Sequence, residues 1–294
     1  MIRRSRPYWR ALQVPNNVAA LDAAWEQVDY LSVHNYICNL KGDTPNYLAK
    51  PLTTDLFFKR IGGLFSYIKA KKRSSHDLFI SFDEFNTWHT VAGNERMEKP
   101  RWGIAPTLLE DVYNMEDAVA LGSMLITVLR NCDIVKIACL SELCNCISHI
   151  RTRYGGGCWV LPPYYAFLHF SQYGRGTVLI PRINSPKYDT RDYTDVPYLD
   201  AVPVINHDGM LTVFAVNRSL TESMPLRIEL RGFEGTYVPD ECITMSHPDP
   251  KATNTEESPH NVSPRTGVAD VEDGILCADL KPLSWNVIRL RKQQ

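Results

Sequence analysis

The chain has 294 residues, of which 44% are hydrophobic, 22% charged and 10% aromatic, with 16 glycines and 19 prolines. This composition is typical of one large or two ordinary globular domains and excludes disordered, collagen-like and coiled-coil proteins. Lys and Arg (32) balance Asp and Glu (33), a net charge of −1, so we expect neither nucleic acid nor a membrane as a partner. No apolar run approaches the roughly 18–20 residues of a membrane-spanning helix.

The cysteines indicate a reduced compartment and no metal site. Several of the eight lie in apolar stretches, where free thiols are common, and a chain of this length builds a core without disulfides. Cys144 and Cys146 are too close for a zinc knuckle, and no matching second pair exists. The arginines of residues 3–6 precede PYWR, which is not the apolar stretch of an export signal. We therefore expect a cytoplasmic protein without metal.

Three apolar runs in the first half, at residues 28–33, 78–82 and 134–137, predict buried parallel strands. Helical spacing of apolar residues predicts helices over 55–73 and 115–129, although Gly62 and Gly63 weaken the first. The second opens with Glu116 and Asp117, and acidic residues suit a helix N-terminus. Alternating strands and helices predict an α/β barrel or a doubly wound sheet.

From residue 176 onward, short alternating runs separated by turn-forming residues predict antiparallel strands, at 178–180, 202–205, 211–216, 226–230 and 285–290. The turn at 206–209 predicts a hairpin, and the polar stretch 248–265 predicts a long loop. We expect a β-sandwich over 176–294. A complete eight-stranded barrel takes roughly 250 residues, so 1–175 predicts either a small open sheet or the last part of a barrel.

Polar side chains suited to catalysis follow two of the predicted strands. His34 and Tyr36 end the first, and Asp83 and Glu84 end the second. Functional residues of parallel α/β folds gather at these strand ends, and a carboxylate there is costly unless it is hydrogen-bonded or functional. The pattern alone leaves two readings of Glu84 open, a catalytic carboxylate and a structural acid. Trp88, four residues on, is placed to stack on a sugar ring.

Strand alternation makes a finer prediction for this segment. It places Phe82 and Glu84 on one face and Asp83 on the other. Glu84 then faces the mouth of the fold, while Asp83 and Asn86 support the site without touching substrate.

Residues 81–88 (SFDEFNTW) resemble the nucleophile segment of glycoside hydrolase family 51, the α-L-arabinofuranosidases. Further segments resemble that family in the same order, from about residue 25 to the C-terminus: 28–36 (VDYLSVHNY), 42–49 (GDTPNYLA), 105–118 (APTLLEDVYNMEDA), 129–138 (LRNCDIVKIA), 153–159 (RYGGGCW) and 247–254 (HPDPKATN).

The resemblance implies a (β/α)8 TIM barrel, of which 1–175 carries about three strands, followed by a jelly-roll β-sandwich over 176–294. It implies a retaining hydrolase, without cofactor, that releases terminal α-L-arabinofuranosyl residues from arabinose-containing oligosaccharides and polysaccharides. Glu84 corresponds to the nucleophile that forms the covalent intermediate. His34 and Tyr36 match the family's His-x-Tyr, which holds the carboxylates and the sugar, and Trp88 matches a tryptophan lining the sugar site.

Two departures from the family pattern affect the expected chemistry. Retention requires a second carboxyl group about 5–5.5 Å from the nucleophile, and the family's acid/base is the Glu of a Gly-Asn-Glu triplet on an earlier strand. That triplet is absent before His34, so we expect a chain that lacks the acid/base and corresponds to strands six to eight plus the sandwich. The same triplet occurs at residues 93–95, after the nucleophile, and its Glu95 is interpreted as a loop residue. Leu161, where the family carries a glutamine, cannot hydrogen-bond a sugar.

Other motifs have structural interpretations. Residues 155–157 (GGG) predict a tight turn and not a phosphate loop. Lys69 and residues 71–73 predict a solvated helix end. His89, His149 and His169 are interpreted as surface or satisfied core histidines.

Three functional hypotheses therefore stay open. The chain is an arabinofuranosidase, or a truncated fragment or sugar-binding remnant without catalysis, or one part of an assembly. In the last case a second copy or another polypeptide covers the unpaired edges of the incomplete barrel.

Overall fold

The computed structural model of the protein describes residues 14–89 and 109–293. In its first part, three parallel strands form a sheet in the order β1 (Tyr30–Ile37), β2 (Phe79–Thr87), β3 (Val135–Leu140). The three predicted strands are confirmed. Each extends several residues beyond its predicted end, and β1 and β2 continue into the polar residues that follow the apolar run. The helices are α1 (Val14–Ala24), a 3-10 turn (Trp25–Gln27), α2 (Thr44–Leu48), α3 (Pro51–Lys72), α4 (Met115–Arg130) and α5 (Pro163–Tyr173).

Helix α4 begins at Met115, as predicted, and is buried along its length. The Asn114 side chain accepts a hydrogen bond from Asp117 N, and Asp117 Oδ2 accepts one from Asn114 N at 2.9 Å. This capping box satisfies two backbone N–H groups at the start of the helix. Helix α3 also forms as predicted, and it runs unbroken through Gly62 and Gly63.

The second part of the chain forms antiparallel strands, which were predicted from residue 176 onward; the two strands before that residue were not predicted. Its strands are β4 (Ile150–Thr152), β5 (Cys158–Val160), β6 (Gly176–Val178), β7 (Lys187–Tyr188), β8 (Val196–Pro197), β9 (Leu199–Asn206), β10 (Leu211–Asn217), β11 (Met224–Glu229), β12 (Tyr237–Ser246), β13 (Arg265–Thr266), β14 (Ala269–Glu272), β15 (Ile275–Leu280) and β16 (Ser284–Lys292). A six-stranded sheet has the order β13-β12-β16-β10-β9-β6, and a three-stranded sheet has the order β11-β15-β14. We call these two sheets the C-terminal sheets.

The C-terminal sheets pack on each other through a shared apolar cluster that includes Leu211, Leu226, Leu276 and Leu290. The predicted hairpin joins β9 to β10, and Gly209 in its turn has φ +80°, a conformation that glycine adopts without strain. The predicted long loop lies between β12 and β13.

Helix α4 connects the parallel sheet to the C-terminal sheets. The indole of Trp285, on β16, lies against Gly122 of the helix, and Trp285 belongs to a core that also includes residues of α4, β2 and α3. Asp200 pairs with two arginines, each at 2.8 Å: Arg130 at the end of α4 and Arg218 directly after β10. Burial alone would raise the pKa of Asp200, but the two guanidinium groups outweigh it and hold that pKa below its usual value.

No helix among the described residues is both long and apolar enough to cross a bilayer. All eight cysteines are free thiols. The division into domains 1–175 and 176–294 stays a prediction.

Candidate active site

The predicted site residues lie at the C-terminal ends of β1 and β2, which are neighbours in the parallel sheet. The strand register pairs His34 with Glu84 and Tyr36 with Asn86. Because parallel strands end at the same edge, the side chains of two segments 48 to 51 residues apart meet there.

The Glu84 carboxylate is held by one side chain on each oxygen. The hydroxyl of Tyr36 donates to Oε1, and His34 Nδ1 lies 3.0 Å from Oε2. Burial, and after it the hydrogen bond to Glu84, raises the pKa of Tyr36, so its hydroxyl stays protonated and donates. The Glu84 side chain is 39% exposed, and in the ranges 14–89 and 109–293 no Lys or Arg forms an ion pair with it. The carboxylate is therefore oriented yet accessible.

The prediction that Asp83 and Glu84 face opposite sides of the sheet is wrong. Asp83 Oδ1 accepts a hydrogen bond from Ser32 at 2.9 Å and lies 3.4 Å from Nε2 of His34, whose other nitrogen faces Glu84. The pairing of β1 with β2 shifts register between Ser32 and His34, and that of β2 with β3 shifts between Phe82 and Phe85. Such bulges interrupt alternation.

The interruption of alternation also shows in the core, where Phe82 and Phe85 lie on the same side of β2. The rings of Phe82 and Phe85, three residues apart, stack with centroids 4.4 Å apart and 7° between their planes. Both rings are fully buried, so the two acids between them lie on the open face together.

Trp88 and Asn86 occupy different environments. The Trp88 ring packs edge-on against Tyr36, with centroids 5.0 Å apart, and its backbone N–H donates to Ile37 O at 2.8 Å. Asn86 is fully buried and donates to Ile147 O, while its side-chain oxygen lies 2.8 Å from His149 Nε2. Asn86 supports the end of β2 from inside.

A pair of buried acids at the start of α4 also lies near this edge, and its contacts with the site were not predicted. Glu116 accepts hydrogen bonds from Asn39 (3.1 Å) and Thr44 (2.6 Å) and pairs with Lys251. Asp117 accepts a hydrogen bond from Tyr47 at 2.6 Å. The sequence identified both acids as helix-start residues, but their partners come from distant segments and carry no common motif.

His89 joins this acid pair to the end of β2. Its Nδ1 accepts a hydrogen bond from Asn39 N at 3.3 Å, so Nε2 carries the proton that faces Asp117 Oδ1 at 2.9 Å. Burial alone would lower the pKa of His89, but Asp117, Asp111 and Glu116 together raise it. His89 is therefore a satisfied, partly buried histidine with a protein partner on each ring nitrogen, which is one of the two predicted interpretations.

A further acid follows β3. After burial and Glu84, the next contributors to the pKa of Tyr36 are Ser141, which lowers it, and Glu142, which raises it. Glu142 is exposed. The strand-end rule that identified Glu84 applies equally to this position, one strand further along the sheet.

Several minor predictions are confirmed. The 155–157 segment forms the tight turn between β4 and β5, with Gly156 N donating to Arg153 O at 2.9 Å. The lysines of α3 form its solvated last turn. His169 is a buried core histidine whose Nδ1 accepts a hydrogen bond from Trp285. His149 is buried as well, but among the described residues only its Nε2 has a partner, so the prediction of a satisfied histidine holds for it only in part. Leu161 is buried, and Glu95 lies outside the described residues.

Residues 83–284 match the family described as alpha-L-arabinofuranosidase C-terminal domain. The chain is 45% identical over 277 residues to an intracellular exo-alpha-(1->5)-L-arabinofuranosidase of Halalkalibacterium halodurans. It is also 45% identical over 274 residues to the intracellular exo-alpha-(1->5)-L-arabinofuranosidase 1 of Bacillus subtilis. Each match covers 93% of this chain and 54% of the relative, so the chain spans about half the length of these relatives.

Among solved structures, a family 51 alpha-L-arabinofuranosidase from Bifidobacterium longum superposes with a TM-score of 0.88 at 28% identity, covering 95% of this chain and 57% of that one. The match to the family extends over more than half of the chain and includes Glu84. The protein therefore belongs to the glycoside hydrolase family 51 α-L-arabinofuranosidases and corresponds to their C-terminal part.

Proposed function

We propose that this protein takes part in retaining hydrolysis of terminal α-L-arabinofuranosyl groups, with Glu84 as the nucleophile. The observation that carries the proposal is the environment of Glu84, a half-exposed carboxylate at a strand end whose oxygens contact Tyr36 and His34. The names of the relatives support arabinose-containing oligosaccharides or polysaccharides as the substrate class.

The chemistry proceeds in two displacements. A Glu84 oxygen attacks the anomeric carbon, the bond from that carbon to the leaving oxygen breaks, and the leaving oxygen takes a proton from a general acid. Water then attacks the same carbon and gives a proton to the conjugate base of that acid, while the bond from the carbon to Glu84 breaks, which releases arabinose and restores both the free carboxylate and the protonated acid. Tyr36 and His34 orient the carboxylate for the attack, and Trp88, packed on Tyr36, offers an apolar ring to one side of the sugar.

The proposed fold context is the end of a (β/α)8 barrel followed by a jelly-roll sandwich. The parallel order β1-β2-β3 and the likeness to a solved family 51 enzyme support it. In this arrangement the acid/base comes from a strand of the preceding part of the barrel. The word intracellular in the names of the relatives supports a cytoplasmic location.

The test isolates the nucleophile from the acid. An aryl 2-deoxy-2-fluoro-α-L-arabinofuranoside with a dinitrophenolate leaving group needs no proton donor, so it labels a competent nucleophile even where the acid is missing. We expect intact-mass spectrometry to show one added fluoroarabinosyl group and peptide mapping to place it on Glu84. Glu84→Gln abolishes labelling, whereas Glu272→Gln, an exposed acid on β14, does not. A folded protein that stays unlabelled contradicts the proposal.

A second candidate is sugar binding without turnover. It is compatible with the engagement of the other acids near the site, since Asp83, Glu116 and Asp117 are all hydrogen-bonded to protein groups. This candidate predicts heat of binding with L-arabinose in calorimetry, together with absence of labelling. Steady-state hydrolysis of an arabinoside excludes it.

A further inference from the structure

The loop that follows β12 is attached to the first turn of α4. Carbonyl oxygens of Pro250 and Ala252 accept hydrogen bonds from the backbone N–H groups of Glu116 (3.0 Å) and Met115 (2.9 Å). Lys251, between them, pairs with the Glu116 carboxylate. N–H groups of a first helical turn have no partner within the helix, so this loop of the C-terminal sheets completes the helix start.

The two acids at that helix start hold both loops that border the candidate site. Glu116 accepts from Asn39 and Thr44, which follow β1, and Asp117 faces His89, which follows β2. Both carboxylates are fully buried. Hydrogen bonds are electrostatically stronger in the low dielectric of a protein interior than in water, so these contacts restrict the two loops.

His89 passes this restraint to its neighbour Trp88. The His89 backbone N–H donates to Asp111 Oδ2 at 2.5 Å, while its ring lies between Asn39 N and Asp117 Oδ1. Because Trp88 directly precedes His89, the fixed position of His89 also restricts the backbone of Trp88 at the end of β2. Trp88 packs on Tyr36, whose hydroxyl binds Glu84.

We propose that Lys251 and His89 are positioning residues for Trp88. Acting through the two buried acids of α4, they hold the indole beside the nucleophile, so that a loop of the C-terminal sheets sets the width of the sugar pocket. The role of the pocket rests on the proposed function, but the restraint on the indole does not.

The restraint is measured first without any sugar. Protein labelled with 5-fluorotryptophan gives a fluorine resonance for Trp88, which is assigned by its loss in Trp88→Phe. We expect Lys251→Met and His89→Leu to shift or broaden this resonance, Lys251→Arg to restore it, and Lys281→Met, an exposed lysine near β16, to leave it unchanged. The double variant Lys251→Met/Glu116→Gln removes the unpaired buried charge and serves if the single variant does not fold.

Labelling kinetics with the fluoroarabinoside give the second measurement. The positioning role predicts a rise of about tenfold in the probe concentration for half-maximal labelling in Lys251→Met, with the limiting rate within about twofold of wild type. An unchanged Trp88 resonance in folded Lys251→Met and His89→Leu overturns the inference. A shifted resonance in a protein that is never labelled supports the positioning role and contradicts the proposed function.

Discussion

Tyr36 and Glu84 are joined by a hydrogen bond that crosses two neighbouring parallel strands, from the phenol hydroxyl to Oε1 of the carboxylate. The Tyr36 side chain is buried, whereas Glu84 is partly open to solvent. A buried donor with a fixed ring cannot follow a moving acceptor, so the carboxylate is oriented by the fold itself.

The first prediction removes this donor. Hydrogen bonds to charged groups contribute about 1.5–3 kcal/mol, which corresponds to about tenfold to a hundredfold in rate. We expect Tyr36→Phe to slow labelling of Glu84 by that factor, because the carboxylate loses one of its two orienting contacts. Tyr30→Phe, at an exposed position on the same strand, is the matched control. Equal labelling rates for the two variants would show that Tyr36 does not orient Glu84.

The second prediction concerns pH and two buried histidines. Burial lowers the pKa of His149 to about 3 and that of His169 to about 4, against about 6.5 in an unfolded chain. Below about pH 6.5 the unfolded chain therefore binds more protons than the folded one, and stability falls as the pH falls. Each histidine contributes about 1.4 kcal/mol per pH unit between roughly pH 6 and 4.5.

Urea unfolding at a series of pH values measures this slope. His149→Gln and His169→Gln should each flatten the dependence of the unfolding free energy by about 1.4 kcal/mol per pH unit. The exposed His207, in the turn between β9 and β10, is the control, and His207→Gln should leave the slope unchanged. A slope that none of the variants alters would contradict the assignment of both histidines as neutral.

The third prediction uses two glycines in helices. A Cβ added at Gly122 would lie 2.4 Å from the Trp285 ring, whereas one added at Gly63 of α3 meets nothing within 4 Å. We expect Gly122→Ala to destabilise the protein by about 1–3 kcal/mol through overpacking. Gly63→Ala should stabilise it by about 0.5–1 kcal/mol because alanine loses less backbone entropy in a helix. Chemical denaturation checks both, and the same sign for both changes would contradict the packing of α4 on β16.

Local patterns predicted the elements that bury apolar residues on a regular period. Helix α4 and the strand bearing Glu84 fall in this class, and the position of Glu84 at a strand end also identified it as a candidate. The strand β12 was not predicted because its residues are mostly half-buried and include Pro239 and Asp240, so no alternation is visible.

Contacts between distant segments could not be predicted in the same way. The bulge that places Asp83 beside Glu84 depends on how β2 pairs with both neighbours, which the sequence of β2 alone does not contain. Lys251 and Glu116 are 135 residues apart, and nothing in either local sequence specifies the other. Long-range polar contacts are selected by the assembled fold.

The last prediction concerns the edges of the parallel sheet. Within the described ranges, β1 and β3 each pair only with β2, and Tyr30 and Ile137 on these strands are exposed. Unpaired edges with apolar side chains promote association, so we expect the mass from size-exclusion chromatography with light scattering to exceed that of a monomer and to rise with concentration. Ile137→Lys should lower that mass because a charged edge resists pairing. Val268→Lys, at a still more exposed apolar position between β13 and β14, should not, and a wild-type monomer at every concentration would contradict the prediction.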